Sequence, residues 1–257
     1  MLKHSLQAIV RLINLIIFKR NIPNKISIYF HETDSKEIRD IEEIIKYFKK
    51  RSYKFSTVSE FNKNINNNDK DLAITFDDGF SNWVNVLPLF KEYGVRATFF
   101  MNSIQYTNDS KEKFLNDIKC FDENKLIDKS GTKKIIEQGH EIGSHTHSHR
   151  TLTNINEEEF LYELNENLII LNSLNIYPKN FAIPFGMRRH IKAEQLDYLY
   201  QEFDSVSFGE PGMLFKQEKS KIQRYPWKSD KSFKFNLNNI ATDTSLFNKL
   251  TKRSGLG

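Results

Sequence analysis

The sequence predicts an α/β fold, a parallel sheet or barrel alternating with helices, and two observations carry that prediction. Roughly seven short runs of β-branched and aromatic residues recur along the chain with helix-like segments between most of them, as repeated β-α-β units require. Two of these runs end abruptly in carboxylates or imidazoles, and α/β folds gather their chemistry at strand ends. With 257 residues and a single cysteine, Cys120, the chain can bury one sizeable core and has no disulfide framework. Such cysteine usage suits a reducing compartment.

The first strand is Ile26-Ser-Ile-Tyr-Phe30, followed at once by His31-Glu-Thr-Asp34. Ile38, Ile41, Ile44, Ile45 and Phe48 then recur at helical spacing, with Asp34 or Ser35 placed to cap the helix. Residues 64–71 are a polar tract, read as a loop. Leu72-Ala-Ile-Thr-Phe76 is a strand that runs into Asp77, Asp78 and Gly79, and a helix over residues 83–93 closes at Gly94. The strand Ala97-Thr-Phe-Phe-Met101 completes a β-α-β unit, which favours parallel pairing. Residues 102–128 lack a clear period and read as a long loop or insertion of the kind that shapes access to a site.

A helix over residues 132–138 leads through Gly139 to a strand ending at His145. Asn156, followed by Glu157, Glu158 and Glu159, opens a helix whose acidic first turn complements its dipole, with Leu161, Leu164, Leu168 and Leu171 expected as its buried stripe. Strand-like pieces follow at 180–185, 205–209 and 221–227, with a helix near 193–203. The organisation is then an N-terminal amphipathic helix within residues 1–24, one domain over 25–228, and a polar C-terminal tail over 229–257 with a short helix around 245–252.

Between Ser5 and Phe18 the chain is apolar except for a narrow stripe of Gln7, Arg11 and Asn14. It is too short and interrupted to span a bilayer, and Arg11 together with the lack of a small-x-small cleavage site before Pro23 argues against a secretory signal. Bounded by Lys3, Lys19 and Arg20, residues 3–20 either make peripheral contact with a membrane interface or pack on the domain or on another subunit. The formal charge of +5 would suit an anionic partner such as a membrane surface or a phosphorylated lipid carrier. Lys and Arg are nevertheless spread evenly, with no compact cluster or nucleic-acid motif, so nucleic acid is excluded as a partner and solvated basic surface is the plainer reading.

Asp77 and Asp78 stand at the mouth of a buried strand, and because neighbouring side chains on an extended chain point opposite ways, the two need not do the same job. In Gly139-His-Glu-Ile-Gly-Ser-His-Thr-His-Ser-His149, three imidazoles fall at alternate positions. One carboxylate and two histidines with an open position form a familiar holder for a catalytic divalent metal. Spacing leaves open which two of His145, His147 and His149 bind. His145 and His149 share a face only if the segment turns helical after the strand, in which case His147 faces away. His140 reads as a structural hydrogen-bonding residue.

Thr75-Phe-Asp-Asp-Gly79 resembles the first signature of the polysaccharide deacetylases, the NodB-homology or family 4 carbohydrate esterases, and the histidine stretch resembles their His-Ser/Thr-x-x-His signature. Phe181-Ala-Ile-Pro-Phe-Gly186 is similar to the third signature in its Pro-aromatic-Gly half. The resemblance spans residues 26–227 and implies the distorted (β/α)7 barrel of NodB-like deacetylases. It also implies Asp78, His145 and His149 as ligands of one divalent metal, zinc first, with cobalt, nickel or manganese compatible. Asp77 then becomes the general base, and the backbone amide of Phe185, next to Pro184, the oxyanion donor.

Two departures from the family pattern shape the expectations. Where the third signature commonly carries an arginine this chain has Ala182, and Arg224, in Gln-Arg-Tyr-Pro-Trp227, is the candidate replacement. The late Leu-x-x-His signature is missing, because His190 is the only histidine after His149. Some members carry the equivalent histidine on the first strand, and Tyr29-Phe-His31 resembles that arrangement, so His31 is the expected general acid. Trp227 is a candidate for stacking on a sugar, whereas Phe80 and Trp83 read as core. The implied activity is metal-dependent removal of an N-acetyl group from an amino sugar of a polysaccharide or glycolipid, while the lack of a cleavable signal, the residue 3–20 helix and the basic charge would suit a cytoplasmic enzyme, near the membrane if that helix meets it. O-deacetylation or deformylation of a lipid-linked sugar, or a catalytically weak carbohydrate-binding barrel, are the alternatives.

Overall fold

The computed structural model describes residues 22–209 and 217–243, so the N-terminal amphipathic helix over residues 3–20 and the terminal helix expected over 245–252 lie outside the described residues. The chain starts with β1 (Lys25–Phe30) and α1 (Ser35–Lys49), where Ile41, Ile44, Ile45 and Phe48 make the buried stripe that their spacing requires. Next come β2 (Lys54–Phe55), α2 (Val58–Lys63) and β3 (Asp71–Asp77), every residue of which is buried. A helical turn runs into α3 (Leu87–Tyr93), which stops at a left-handed Gly94 with φ 60°. β4 (Thr98–Met101) is followed by α4 (Glu112–Asp117) and α5 (Lys129–Glu137), then β5 (Glu141–Ser144) and α6 (Glu157–Ser173). The remainder is β6 (Asn180–Ala182), α7 (Ala193–Glu202), β7 (Ser205–Phe208), β8 (Lys221–Gln223), β9 (Tyr225–Pro226) and α8 (Phe233–Asp243).

All the strand pairs are parallel, and the hydrogen-bonded path runs β8-β7-β6-β5-β4-β3-β1-β9, with β2 pairing beside the start of β3. The two ends of that path are separated in sequence only by Arg224. One extended stretch therefore pairs with β7 through its first half and with β1 through its second, and the sheet curls into a nearly closed barrel. This is the α/β barrel that the pattern and resemblance implied. Its seven staves are β1, β3, β4, β5, β6, β7 and the β8–β9 stretch.

The barrel interior is small. Ala73, Phe100, Ala182 and Ile222 of four different strands meet there with Val58 and Phe61 of α2 and with Ile65. α2 plugs the end where the strands begin: the Val58 amide donates to Thr98 Oγ1, the Ser59 amide to Glu141, and the Asn62 side chain to the Asp204 carbonyl. A helix of six residues is too short to show a period, which is why the sequence reading passed over α2 and β2. The thicker core lies outside the sheet, where Phe76 stacks on Phe99 at 4.7 Å between ring centres under α1 and α3.

Three expectations need correction. The 102–128 segment is largely loop but contains α4, whose Phe114 and Leu115 are buried. The buried stripe of α6 is Phe160, Glu163, Leu164, Asn167 and Leu171, with Leu161 and Leu168 only half-buried, because Glu163 and Asn167 turn inward to hold the histidine loop. Residues 233–243 of the expected polar tail form α8, which buries Asn236 and Ile240 against the core through a pattern too sparse to stand out in a polar sequence. No described helix is long and apolar enough to cross a membrane.

His140 fulfils its structural role. The Ala97 amide donates to its Nδ1 at 3.2 Å, so that nitrogen must be unprotonated. Burial, with a smaller push from Arg96, lowers its pKa from 6.5 to about 4. Between those values only the unfolded chain takes up the proton, so this contribution is fully present above pH 6.5 and is lost as pH falls toward 4. Denaturant midpoints of the wild type are expected to fall more steeply over that window than those of His140→Gln; parallel slopes would show that His140 does not couple folding to pH.

Candidate active site

The site is built where strands end. β3 delivers Asp77 as its last residue, and the chain then turns through Asp78 and Gly79, both left-handed with φ 83° and 80°. Such a φ is uncommon for a residue with a side chain, and here it swings the Asp78 carboxylate away from that of Asp77. At Gly79 the φ of 80° is one that residues with a Cβ rarely adopt, and a Cβ there would also displace the end of the Gln105 side chain, so glycine suits the position.

β5 delivers His145 in the same way. The following segment is not helical, as shared orientation of His145 and His149 had seemed to require. Instead Thr146 and His149 take left-handed conformations with φ 65° and 59°, and Thr146 Oγ1 accepts from the His149 amide at 3.0 Å. This wrap brings His145 Nε2 to 3.4 Å and His149 Nε2 to 3.3 Å from Asp78 Oδ1. His147 points elsewhere, its Nδ1 2.9 Å from Ser103 Oγ and its ring against Tyr162.

The donor set fits a cation. His145 Nδ1 lies 2.8 Å from the Ala182 carbonyl, which can only accept, so Nδ1 carries the hydrogen and a neutral ring turns a lone pair on Nε2 toward Asp78. Asp78 Oδ1 is buried and receives no hydrogen bond among the described residues. One ligand atom from each of Asp78, His145 and His149 lies within 4.8 Å of the others, and all three residues are buried. For Asp78, burial opposes ionisation, but His149, His145 and His31 outweigh it and hold the carboxyl below its ordinary range. Burial likewise pushes His145 down, yet Asp78 and Asp77 carry it above its ordinary value. Burial prevails at His149 and lowers it to about 4, which keeps that ring neutral as a ligand must be.

Asp77 has a different partner. Arg224, between β8 and β9 and only 1 % exposed, grips it with two parallel bonds, Nη1 to Oδ1 at 2.7 Å and Nη2 to Oδ2 at 2.8 Å. Nη1 also reaches Thr75 Oγ1 at 3.1 Å, and the guanidinium lies over the rings of Tyr29 and Phe100. The structure thus brings Arg224 to the aspartate that lacks an arginine from position 182. Ala182 itself contributes its carbonyl to His145 and its methyl group to the barrel interior.

These groups floor a cavity of about 420 Å³. His31 stands at its side, 53 % exposed, with Nε2 3.8 Å from Asp78 Oδ2. Phe185 follows the buried Pro184 in a left-handed turn with φ 60°, and its ring lies 4.6 Å from that of His149. Trp227 is not brought to this cavity. It is core: its indole donates to Asp40 Oδ2 at 3.1 Å, it packs on Phe30 and Phe233, and it borders only a neighbouring hollow.

Sequence reading missed the residues that support the site. Asn167 donates to the Met101 and Thr146 carbonyls at 3.0 and 2.7 Å, and Glu163 accepts from the Ser148 amide at 2.8 Å. Four residues apart on a leucine-rich helix, they share one face, and that was the available signal. Tyr29, Asp117 and Lys119 also line the cavity.

A nearly closed parallel barrel with a candidate metal centre and an arginine-held carboxylate at the carboxyl ends of its strands defines the class. The sequence model of the family described as polysaccharide deacetylase matches residues 64–200, more than half of the chain, and the chain belongs to that family. A Bacillus cereus protein named peptidoglycan-N-acetylglucosamine deacetylase is 34 % identical over 122 residues, covering 46 % of this chain and 38 % of that protein. The matched stretch thus spans well under half the length of that relative. Among solved structures, IcaB from Ammonifex degensii aligns with a TM-score of 0.63 at 16 % identity, over 86 % of this chain and 97 % of that one. The Streptococcus pyogenes deacetylase PplD, solved in complex with acetate, aligns with a TM-score of 0.64, the same identity and the same coverage.

Arg224→Met is expected to destabilise the protein by about 3–5 kcal/mol, because it strands a buried carboxylate. Adding Asp77→Asn should recover part of that loss, and urea denaturation of the two variants reads the difference. A double variant no more stable than the single would mean that charge pairing is not what Arg224 contributes.

Proposed function

We propose that the chain is a metal-dependent hydrolase that removes the N-acetyl group from an amino sugar of a polysaccharide or glycolipid. The observation that carries this reading is the buried Asp78, His145 and His149 group beside the arginine-held Asp77 on the floor of one open cavity. The name of the Bacillus cereus relative supports N-acetylglucosamine as the sugar.

Asp78, His145 and His149 hold one divalent cation, zinc by preference for two nitrogens and an oxygen, with cobalt, nickel and manganese compatible. When bound, such an ion polarises an amide carbonyl and makes a water nucleophilic near neutral pH. Asp77 accepts the proton of the attacking water, and Arg224 keeps its carboxylate in one orientation. The Phe185 amide, in the turn after β6, donates to the oxygen that gains charge. Once the water's C–O bond has formed, His31, on the open side of the cavity, gives its proton to the departing nitrogen, the C–N bond breaks, and the products are acetate and a sugar amine.

Metal content and acetate release from N-acetylated chitooligosaccharides, compared for wild type and Asp78→Ala, test the reading. The wild type is expected to hold about one metal per chain, as a single mononuclear site does, and the variant to lose both metal and activity. Metal retained without Asp78 would refute the ligand assignment. Metal lost with no acetate ever released by the wild type would refute the activity.

A further inference from the structure

The ring of His31 is half exposed, and its Nε2 approaches Asp78 Oδ2 at 3.8 Å. Among the described residues no hydrogen bond aims the ring, which meets the Tyr29 ring edge-on at 5.5 Å between centres, so its place comes from that packing and from its backbone. That backbone is held by one short turn just past Asp78. The Trp83 indole donates to the His31 carbonyl at 2.6 Å, and Trp83 is fully buried between Phe76 and Phe99. Beside it, Asn82 Oδ1 accepts from the Thr33 amide at 3.1 Å, and the Asn82 carbonyl accepts from the Thr33 hydroxyl. Because Oδ1 faces an N–H, the amide nitrogen of Asn82 must face the other way, where it donates to Asp34 Oδ1 at 3.0 Å and to Glu32 Oε2 at 3.4 Å.

We propose that Asn82 is the positioning residue for His31, bracing the loop after β1 against the turn after β3 so that the ring stands over Asp78. This rests on the reading of His31 as the general acid. Asparagine suits the task because one side chain accepts from an amide and donates to two carboxylates at once. An alanine gives none of these bonds, and an aspartate adds a third carboxylate to Glu32 and Asp34. Trp83 holds the His31 carbonyl from the core, whereas Asn82 holds the backbone and side chains of the flanking residues 32–34 from its half-buried place.

A mispositioned acid harms only reactions whose leaving group needs a proton. An amide must release an amine, but an ester of 4-nitrophenol releases a stable phenolate unaided. The experiment is therefore the ratio of turnover on an N-acetylated chitooligosaccharide to turnover on 4-nitrophenyl acetate, for wild type, His31→Gln, Asn82→Ala and Asn82→Asp, with metal content measured throughout. His31→Gln is expected to lower the ratio about 10²- to 10⁴-fold, the range of general acid catalysis. Both Asn82 variants should lower it roughly 10- to 100-fold with metal content unchanged, as loss of an orienting partner does. In histidine-labelled protein, the ring signal of His31, identified by its loss in His31→Gln, should move in Asn82→Ala while those of His145 and His149 stay. If His31→Gln lowers the ratio and the Asn82 variants do not, or if the His31 signal is unmoved, the positioning role is overturned and the acid stands. If His31→Gln leaves the ratio unchanged, the acid itself is wrongly assigned and the brace has nothing to position. A loss of both activities in equal proportion would mark Asn82 as a general structural support and likewise overturn the proposal.

Discussion

Two consecutive carboxylates, Asp77 and Asp78, are each only 4 % exposed, and the rest of the site follows from that constraint. An unpaired carboxylate out of water is too costly to keep, so each must meet positive charge or converging donors. One partner cannot serve both, because alternation along the strand and the left-handed turn at Asp78 send the two side chains apart. The arginine and the histidines answer separate demands created by adjacent residues.

The answer to the first demand also holds the barrel shut. Arg224 occupies the point where one extended stretch passes from pairing with β7 to pairing with β1, and its amide donates to the Phe208 carbonyl at 2.8 Å. Its guanidinium then reaches Thr75, whose hydroxyl donates to the Ile28 carbonyl at 3.0 Å. Backbone of β7, side chains of β3 and backbone of β1 are thus tied through one residue. Closure of the sheet and neutralisation of Asp77 are a single event in this structure.

Much of this was legible in the sequence, and the exceptions have physical reasons. Strands and long helices announce themselves through period, so β1, α1, β3 and β4 were readable, as were the clusters at Asp77, Asp78, His145 and His149. Arg224 was a candidate only because Ala182 left a gap to fill; nothing local to Gln-Arg-Tyr marks it, since its partner lies 147 residues away. Asn167 and Glu163 hid inside an apparently ordinary amphipathic helix, where polar residues read as solvent-facing. Trp227 misled in the opposite direction: an aromatic beside Arg224 looks like a sugar platform, but strand alternation turns it into the core. The wrap of the histidine loop could not be read either, because left-handed Thr and His residues have no propensity signal and are imposed by the bonds around them.

The same separation orders events during synthesis. The three residues of the Asp78 group have all left the ribosome once His149 has emerged, whereas the arginine for Asp77 emerges 75 residues later, the difference between positions 224 and 149. Domains form as units while the chain lengthens. The histidine loop also leans on Glu163, Asn167 and the Ala182 carbonyl, so the imidazole cluster gains its last support 42 residues, the difference between positions 224 and 182, before Asp77 can meet its arginine. A chain that ends before Arg224 lacks the stretch that joins β7 to β1 and leaves the Asp77 carboxylate without its guanidinium.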